Sequence, residues 1–155
     1  MPNEKLKVLF VCTGNTCRSP MAEFMFKAYL KDKKRASDFS VSSAGLYAER
    51  GAVLSEGADK ALEALNVKHT VRKAKLLTVR MCNDADVIIA VTAAHASACG
   101  EDAYSFEGLT GKPVADPYGG SLSVYLNCAA QMREAFDKIF ELCEQKLAQK
   151  RGSNS

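Results

Sequence analysis

The junction at residues 6–20 constrains this chain more than any other stretch. Leu6, Val8, Leu9, Phe10 and Val11 form a near-continuous apolar run, the pattern of a central parallel strand covered on both faces. The run ends in Cys12-Thr13-Gly14-Asn15-Thr16-Cys17-Arg18-Ser19-Pro20, where Ser19 and Pro20 stand in the places of a helix N-cap and a first-turn proline. A strand, loop and helix joined this way gather unpaired backbone N–H groups at a helix N-terminus, where the dipole favours an anion. Gly14 and Asn15 tolerate left-handed backbone angles, which turn successive N–H groups inward as a nest suited to phosphate. In that field and beside Arg18, Cys12 is favoured as the thiolate and becomes a nucleophile. Arg18 offers a planar fork for two phosphoryl oxygens, and Ser19 is within reach of the sulfur. A lone cysteine at a strand end is ordinarily a buried thiol; the full string reverses that reading.

The rest of the chain alternates strands with helices. Helical spacing over 19–31 places Met21, Phe24, Met25 and Ala28 on one face, and the basic cluster Lys31, Lys33, Lys34 and Arg35 after it reads as a solvated helix end. A second strand covers 40–44 and stops at Gly45. Residues 55–65 form a helix with the stripe Ala58, Ala61, Leu62 and Leu65. Tyr47, in the loop between them, is placed either to wall a cleft or to sit on the plain surface. Helical character returns at 76–82, a third strand runs over 86–91, and a fourth falls at 104–106 or at 113–115. Leu122, Tyr125, Ala129, Met132, Phe136, Ile139 and Cys143 then advance by threes and fours, which predicts one helix covering a face of the sheet. The expected fold is a doubly wound α/β three-layer sandwich around a parallel sheet of about four strands. It forms a single domain over 1–149 with a frayed tail at 150–155.

Composition narrows the function classes. A formal net charge of +3 gives little support to nucleic-acid binding. No apolar run approaches a membrane span, and the first residues contain no signal-peptide apolar core, so the expected compartment is the cytoplasm. Six cysteines in such a chain read as free thiols, without the paired Cys-x-x-Cys units of a zinc site, and no cofactor or metal is expected.

A thiolate attacking a phosphoester needs an acid to protonate the leaving group. Asp116 is the candidate: Pro117 holds it extended at the end of a strand, on the sheet edge that carries the loop. Taken alone, Asp-Pro is more often a turn start.

These residues resemble the low-molecular-weight protein-tyrosine phosphatases. Val11 to Pro20 follows their signature V-C-x-G-N-x-C-R-S-P, and Asp116-Pro117-Tyr118 resembles their general-acid motif; the similarity continues through Ser43-Ala44-Gly45, His69 with Arg72, and the last helix. The resemblance implies a phosphocysteine on Cys12. It implies phosphate held by Arg18 and the amides of residues 13–18, and Asp116 as acid and then base. It places His69 with Asn15, Ser19 and Ser43 in a network that shapes the loop, and gives Cys17 a redox role, trapping an oxidised Cys12 as a disulfide, against the plain reading of a buried packing thiol. Phosphorylated proteins are the implied substrates and inorganic phosphate the product, with the protein acting as a monomer. Members acting on phosphotyrosine commonly carry an aliphatic residue at the position of Thr16. The branch resembling protein-arginine phosphatases carries threonine there and D-P-F-G-G-S at the acid loop. Thr16 and Asp116-Pro117-Tyr118-Gly119-Gly120-Ser121 lean towards phosphoarginine, with phosphotyrosine as the alternative; Tyr118 departs from the branch.

Two rivals remain at this stage. Thioredoxin-coupled arsenate reduction needs a relay of further cysteines, and Cys82 and Cys99 lie apart in sequence on either side of the third strand. A non-catalytic phosphoprotein-binding module would need neither Cys12 nor Asp116.

Overall fold

In a computed structural model, which describes residues 4–153, the chain forms four strands and seven α-helices. The strands are β1 (Leu6–Cys12), β2 (Phe39–Gly45), β3 (Val87–Ala90) and β4 (Tyr104–Ser105), all parallel, in the order β2-β1-β3-β4. The helices are α1 (Arg18–Asp32), α2 (Glu56–Ala64), α3 (Val79–Asp84), α4 (Ala93–Cys99), α5 (Phe106–Thr110), α6 (Leu122–Arg133) and α7 (Phe136–Ser153). This is the expected doubly wound sandwich.

The strand alternation of β1 divides the core in two. Leu6, Val8, Phe10 and Cys12 face the larger cluster, built with Met21 and Met25 of α1, Leu62 of α2, Met132 of α6 and Ile139 of α7. Leu9 and Val11 face a smaller one with Ala44 and Ala90, covered by Met81 of α3 and Ala96 of α4. The chain leaves β1 towards β2 on one side and later crosses to β3 on the other, so the loop after β1 opens where the strand order reverses. Ligands of open α/β sheets bind at that crevice.

Several expectations change. The fourth strand is Tyr104–Ser105, pairing with Ile89 and Ala90, while the segment at 113–115 instead supplies a carbonyl to the site. Helix α1 begins at Arg18 with Cys17 as N-cap, so the Ser19 hydroxyl is released from capping. The expected single last helix is two, because Ala135 N–H bonds to Met132 C=O one residue short of helical register. The apolar stripe survives the break, since Met132, Ala135, Phe136 and Ile139 are all buried. The expected fraying from Lys150 does not hold where the chain is described. Helix α7 runs through Ser153, Lys150 Nζ bonds to Asp86 at 2.8 Å, and Arg151 bonds to Asp38 at 2.9 Å; Asn154 and Ser155 lie outside the described residues. The basic cluster is only partly solvated, as Arg35 bonds to both Asp38 and Glu144 and Lys33 lies over the rings of Tyr29 and Phe140. Among the described residues no helix is long and apolar enough to cross a membrane.

Candidate active site

The loop closes over a buried thiol. Cys12 is 3% exposed, and its Sγ stands 2.8 Å from Ser19 Oγ and 3.3 Å from the Asn15 backbone N–H. The Ser19 oxygen already accepts from Asn15 Nδ2 at 2.8 Å, so its own proton goes to the sulfur in preference to the Ala44 carbonyl at 3.5 Å. Both contacts aim a hydrogen-bond donor at the sulfur.

Of the two residues that tolerate a left-handed angle, Asn15 adopts it, at φ 57, and Gly14 does not. The Asn15 side chain is bonded at both ends: Nδ2 donates to Ser19 and to Ser43 Oγ at 2.9 Å, and Oδ1 accepts the Lys75 N–H at 3.0 Å. Gly45, paired with Cys12 across the sheet, lets the loop approach. A Cβ there would stand 2.6 Å from the Thr13 carbonyl and 2.8 Å from the Asn15 nitrogen.

Behind Ser43 lies a charged anchor that sequence reasoning did not assign. Ser43 donates to Glu23 Oε1 at 2.7 Å, and Arg72 bonds both Glu23 oxygens and Ser43 Oγ. Glu23 is 1% exposed. Burial pushes its carboxyl up, but hydrogen bonds from Arg72, Lys27 and Ser43 outweigh that and hold it below its ordinary value. His69, assigned to this network by resemblance, is not in it. Its Nε2 bonds to Asp59 and its Nδ1 to the Val67 carbonyl, both at 2.7 Å, with its ring edge on Phe24. Arg72 takes the place expected of it because its longer side chain reaches the buried carboxylate. Asp59, Glu63 and His69 bring metal-type donors within 4.8 Å of one another, yet none of them lines the site.

Removing Glu23 leaves Ser43 and the half-buried Arg72 guanidinium without their buried partner, so Glu23→Ala should destabilise the fold by about 2–3 kcal/mol in urea unfolding. Because the folded carboxyl titrates below its unfolded value, its contribution is complete above the ordinary carboxylate range and is lost as pH falls through the folded value. Glu23→Gln should flatten that acid limb; an unchanged limb would remove Glu23 from the account.

Arg18, 7% exposed, is aimed by a bond from Nη1 to the Val114 carbonyl at 2.8 Å. Together with Cys12, Thr13, Gly14, Thr16, Cys17, Asp116 and Tyr118 it lines a pocket of about 160 Å³. Asp116 is exposed, its Oδ1 accepting the Tyr118 N–H at 3.1 Å, so the Asp-Pro turn and the acid facing the pocket are one feature. A larger cleft of about 810 Å³ continues outward between Tyr47 and Tyr118, which are 75% and 73% exposed. Thr13, Gly14 and Thr16 line both spaces. Cys17 Sγ bonds to Ser55 Oγ at 3.2 Å and lies 3.5 Å from Tyr125 Oη.

His95, outside the residues assigned from the sequence, touches the loop, with Nε2 2.8 Å from Thr13 Oγ1. Its signal was the Thr92-x-x-His95 spacing of a capping box at α4. Cys82 and Cys99, distant in sequence, line one cavity away from the loop. Burial, with the neighbouring Cys82 adding, pushes the Cys99 thiol up to about 11.

The profile of the family described as low molecular weight phosphotyrosine protein phosphatase matches residues 7–152. The chain is 33% identical over 146 residues to a protein-arginine-phosphatase of Bacillus subtilis, covering 86% of this chain and 94% of that one. It is 32% identical over 144 residues to the low molecular weight protein-tyrosine-phosphatase PtpB of Staphylococcus epidermidis, covering 86% and 96%. A shorter match, 34% over 99 residues and 64% of this chain, is to an arsenate reductase of Bacillus cereus, of which it covers 67%. Among solved structures, the YwlE arginine phosphatase with a phosphorylated active-site serine superposes with a TM-score of 0.75 at 31% identity, covering 90% of this chain and 95% of that one.

Proposed function

The chain belongs to the low molecular weight phosphotyrosine protein phosphatase family, and from that membership we propose that it hydrolyses phosphoarginine in proteins, with Cys12 as nucleophile and Asp116 as acid and base. It is a cysteine-dependent protein phosphatase. Relatives named for arginine and for tyrosine stand at nearly equal identity, so the substrate must be argued from the site.

Thr16 carries the argument. It lines both the phosphate pocket and the outer cleft, so its side chain meets the group that bears the phosphate. A hydroxyl at that rim suits the polar guanidine of phosphoarginine, whereas an aliphatic residue suits an aromatic ring.

In the first step Cys12 Sγ attacks phosphorus and the P–N bond breaks. Asp116 gives its proton to the leaving nitrogen, and phosphocysteine remains. The loop amides and Arg18 hold the phosphoryl oxygens as their charge shifts. In the second step Asp116 takes a proton from water, the water oxygen attacks phosphorus, and the S–P bond breaks to release inorganic phosphate and restore the thiolate. Six free cysteines suit a reducing compartment, the cytoplasm.

A relay through Cys82 and Cys99, as arsenate reduction would require, is disfavoured by the raised Cys99 thiol, which supplies little thiolate at neutral pH. The substrate reading is tested by kcat/KM on matched phosphoarginine and phosphotyrosine peptides. Wild type should favour phosphoarginine, and Thr16→Ile should shift the ratio towards phosphotyrosine by about tenfold or more. A wild-type preference for phosphotyrosine that Thr16→Ile leaves unchanged would overturn it.

A further inference from the structure

The Thr92–His95 capping box fixes a proton. His95 Nδ1 accepts the Thr92 backbone N–H at 3.2 Å and lies 3.0 Å from Thr92 Oγ1, whose hydroxyl proton it can accept as well, while Thr92 Oγ1 accepts the His95 backbone N–H at 3.3 Å. A ring nitrogen that accepts carries no hydrogen, so the neutral imidazole is protonated at Nε2. Burial lowers the pKa of His95 and the Arg18 guanidinium lowers it further, with Asp116 opposing, which keeps the ring neutral. Nε2–H therefore donates to Thr13 Oγ1 at 2.8 Å.

That donation settles what the Thr13 hydroxyl does next. His95 is its one side-chain partner among the described residues, and it occupies the oxygen as acceptor. The hydroxyl proton is left to be donated. Thr13 follows the nucleophile directly, its carbonyl is fixed by the Tyr47 N–H at 2.9 Å, and it lines the pocket with Cys12, Arg18 and Asp116.

We propose that the Thr13 hydroxyl donates a hydrogen bond to the phosphoryl group bound at Cys12, and that His95 is the positioning residue that turns it there. The inference rests on the loop being the phosphate site. It adds a side-chain donor to the backbone amides, supported from α4 on the far side of the sheet from α1.

Thr13→Val should lower kcat/KM for an aryl phosphate by about ten- to hundredfold and weaken vanadate inhibition in step, with Tm unchanged. Thr13→Ser should restore most of the loss. His95→Ala should reproduce the loss, add nothing in a Thr13→Val background, and be rescued by His95→Gln, whose amide N–H reaches the position of Nε2. Nitrogen chemical shifts should show His95 as the Nε2–H tautomer. Wild-type rates in Thr13→Val, or losses in the double variant that multiply, would overturn the proposal. Should His95→Ala not fold, the Thr13 pair decides. Activity persisting in Cys12→Ser would instead overturn the loop assignment itself.

Discussion

Cys12→Ser should lower turnover of an aryl phosphate by about 10⁴-fold or more while leaving the fold and phosphate affinity in place. Serine is nearly isosteric, so the contacts to Ser19 and to the Asn15 N–H persist. What changes is ionisation. A serine hydroxyl ionises far less readily than a thiol, so the same two hydrogen bonds surround a neutral, weakly nucleophilic oxygen. The remaining loop still binds and orients the phosphoryl group, so slow transfer to the serine oxygen is expected, with release slower still because an alkoxide leaves poorly. The YwlE structure with its phosphorylated serine shows such a species held in a related site. Intact-mass measurement after incubation with substrate should therefore find a phosphorylated Cys12→Ser protein. A rate within tenfold of wild type would remove Cys12 from the mechanism and return the loop to a binding role.

The loop was legible in sequence because its chemistry is local. The strand run, the Asn15 turn, Cys12, Arg18 and Ser19 act within one short segment, and the fold only closes it. The fold class was legible for the same reason, since each strand and helix carries its own period. The support behind the loop was not. Glu23 reads as one polar position in an amphipathic helix, and nothing local distinguishes a buried carboxylate from a solvated one; its partner Arg72 lies on another element. His69 failed in the opposite way, because Asp59 on α2 competes for the ring and holds it away from Asn15. His95 sits in Ala93–Cys99, a helix so short and alanine-rich that its period is weak, and only the cap spacing announced it. Cys82 and Cys99 show that distance in sequence says little once α3 and α4 cover the same face. The break after Arg133 leaves no mark on the sequence pattern, because a single tightened turn keeps the apolar stripe in register.

Asp116→Ala should slow hydrolysis of poor leaving groups by about 10²–10⁴-fold and of a nitrophenyl ester much less. A guanidine nitrogen leaves only when protonated, so phosphoarginine should lie at the severe end, and nitrophenolate, which leaves unaided, at the mild end. The second step gives an independent readout. Without Asp116 no carboxylate activates the water, so with the nitrophenyl ester phosphocysteine should accumulate, seen as a rapid burst of nitrophenol followed by slow turnover. Asp116→Asn separates the proton from the geometry: the amide oxygen can still accept the Tyr118 N–H that shapes the turn, while the side chain can neither give nor take the proton. If Asp116→Asn matches Asp116→Ala in both the leaving-group dependence and the burst, proton transfer is the role. If Asp116→Asn recovers wild-type rates, Asp116 serves only to hold the turn, and the acid must be sought elsewhere on the rim of the pocket.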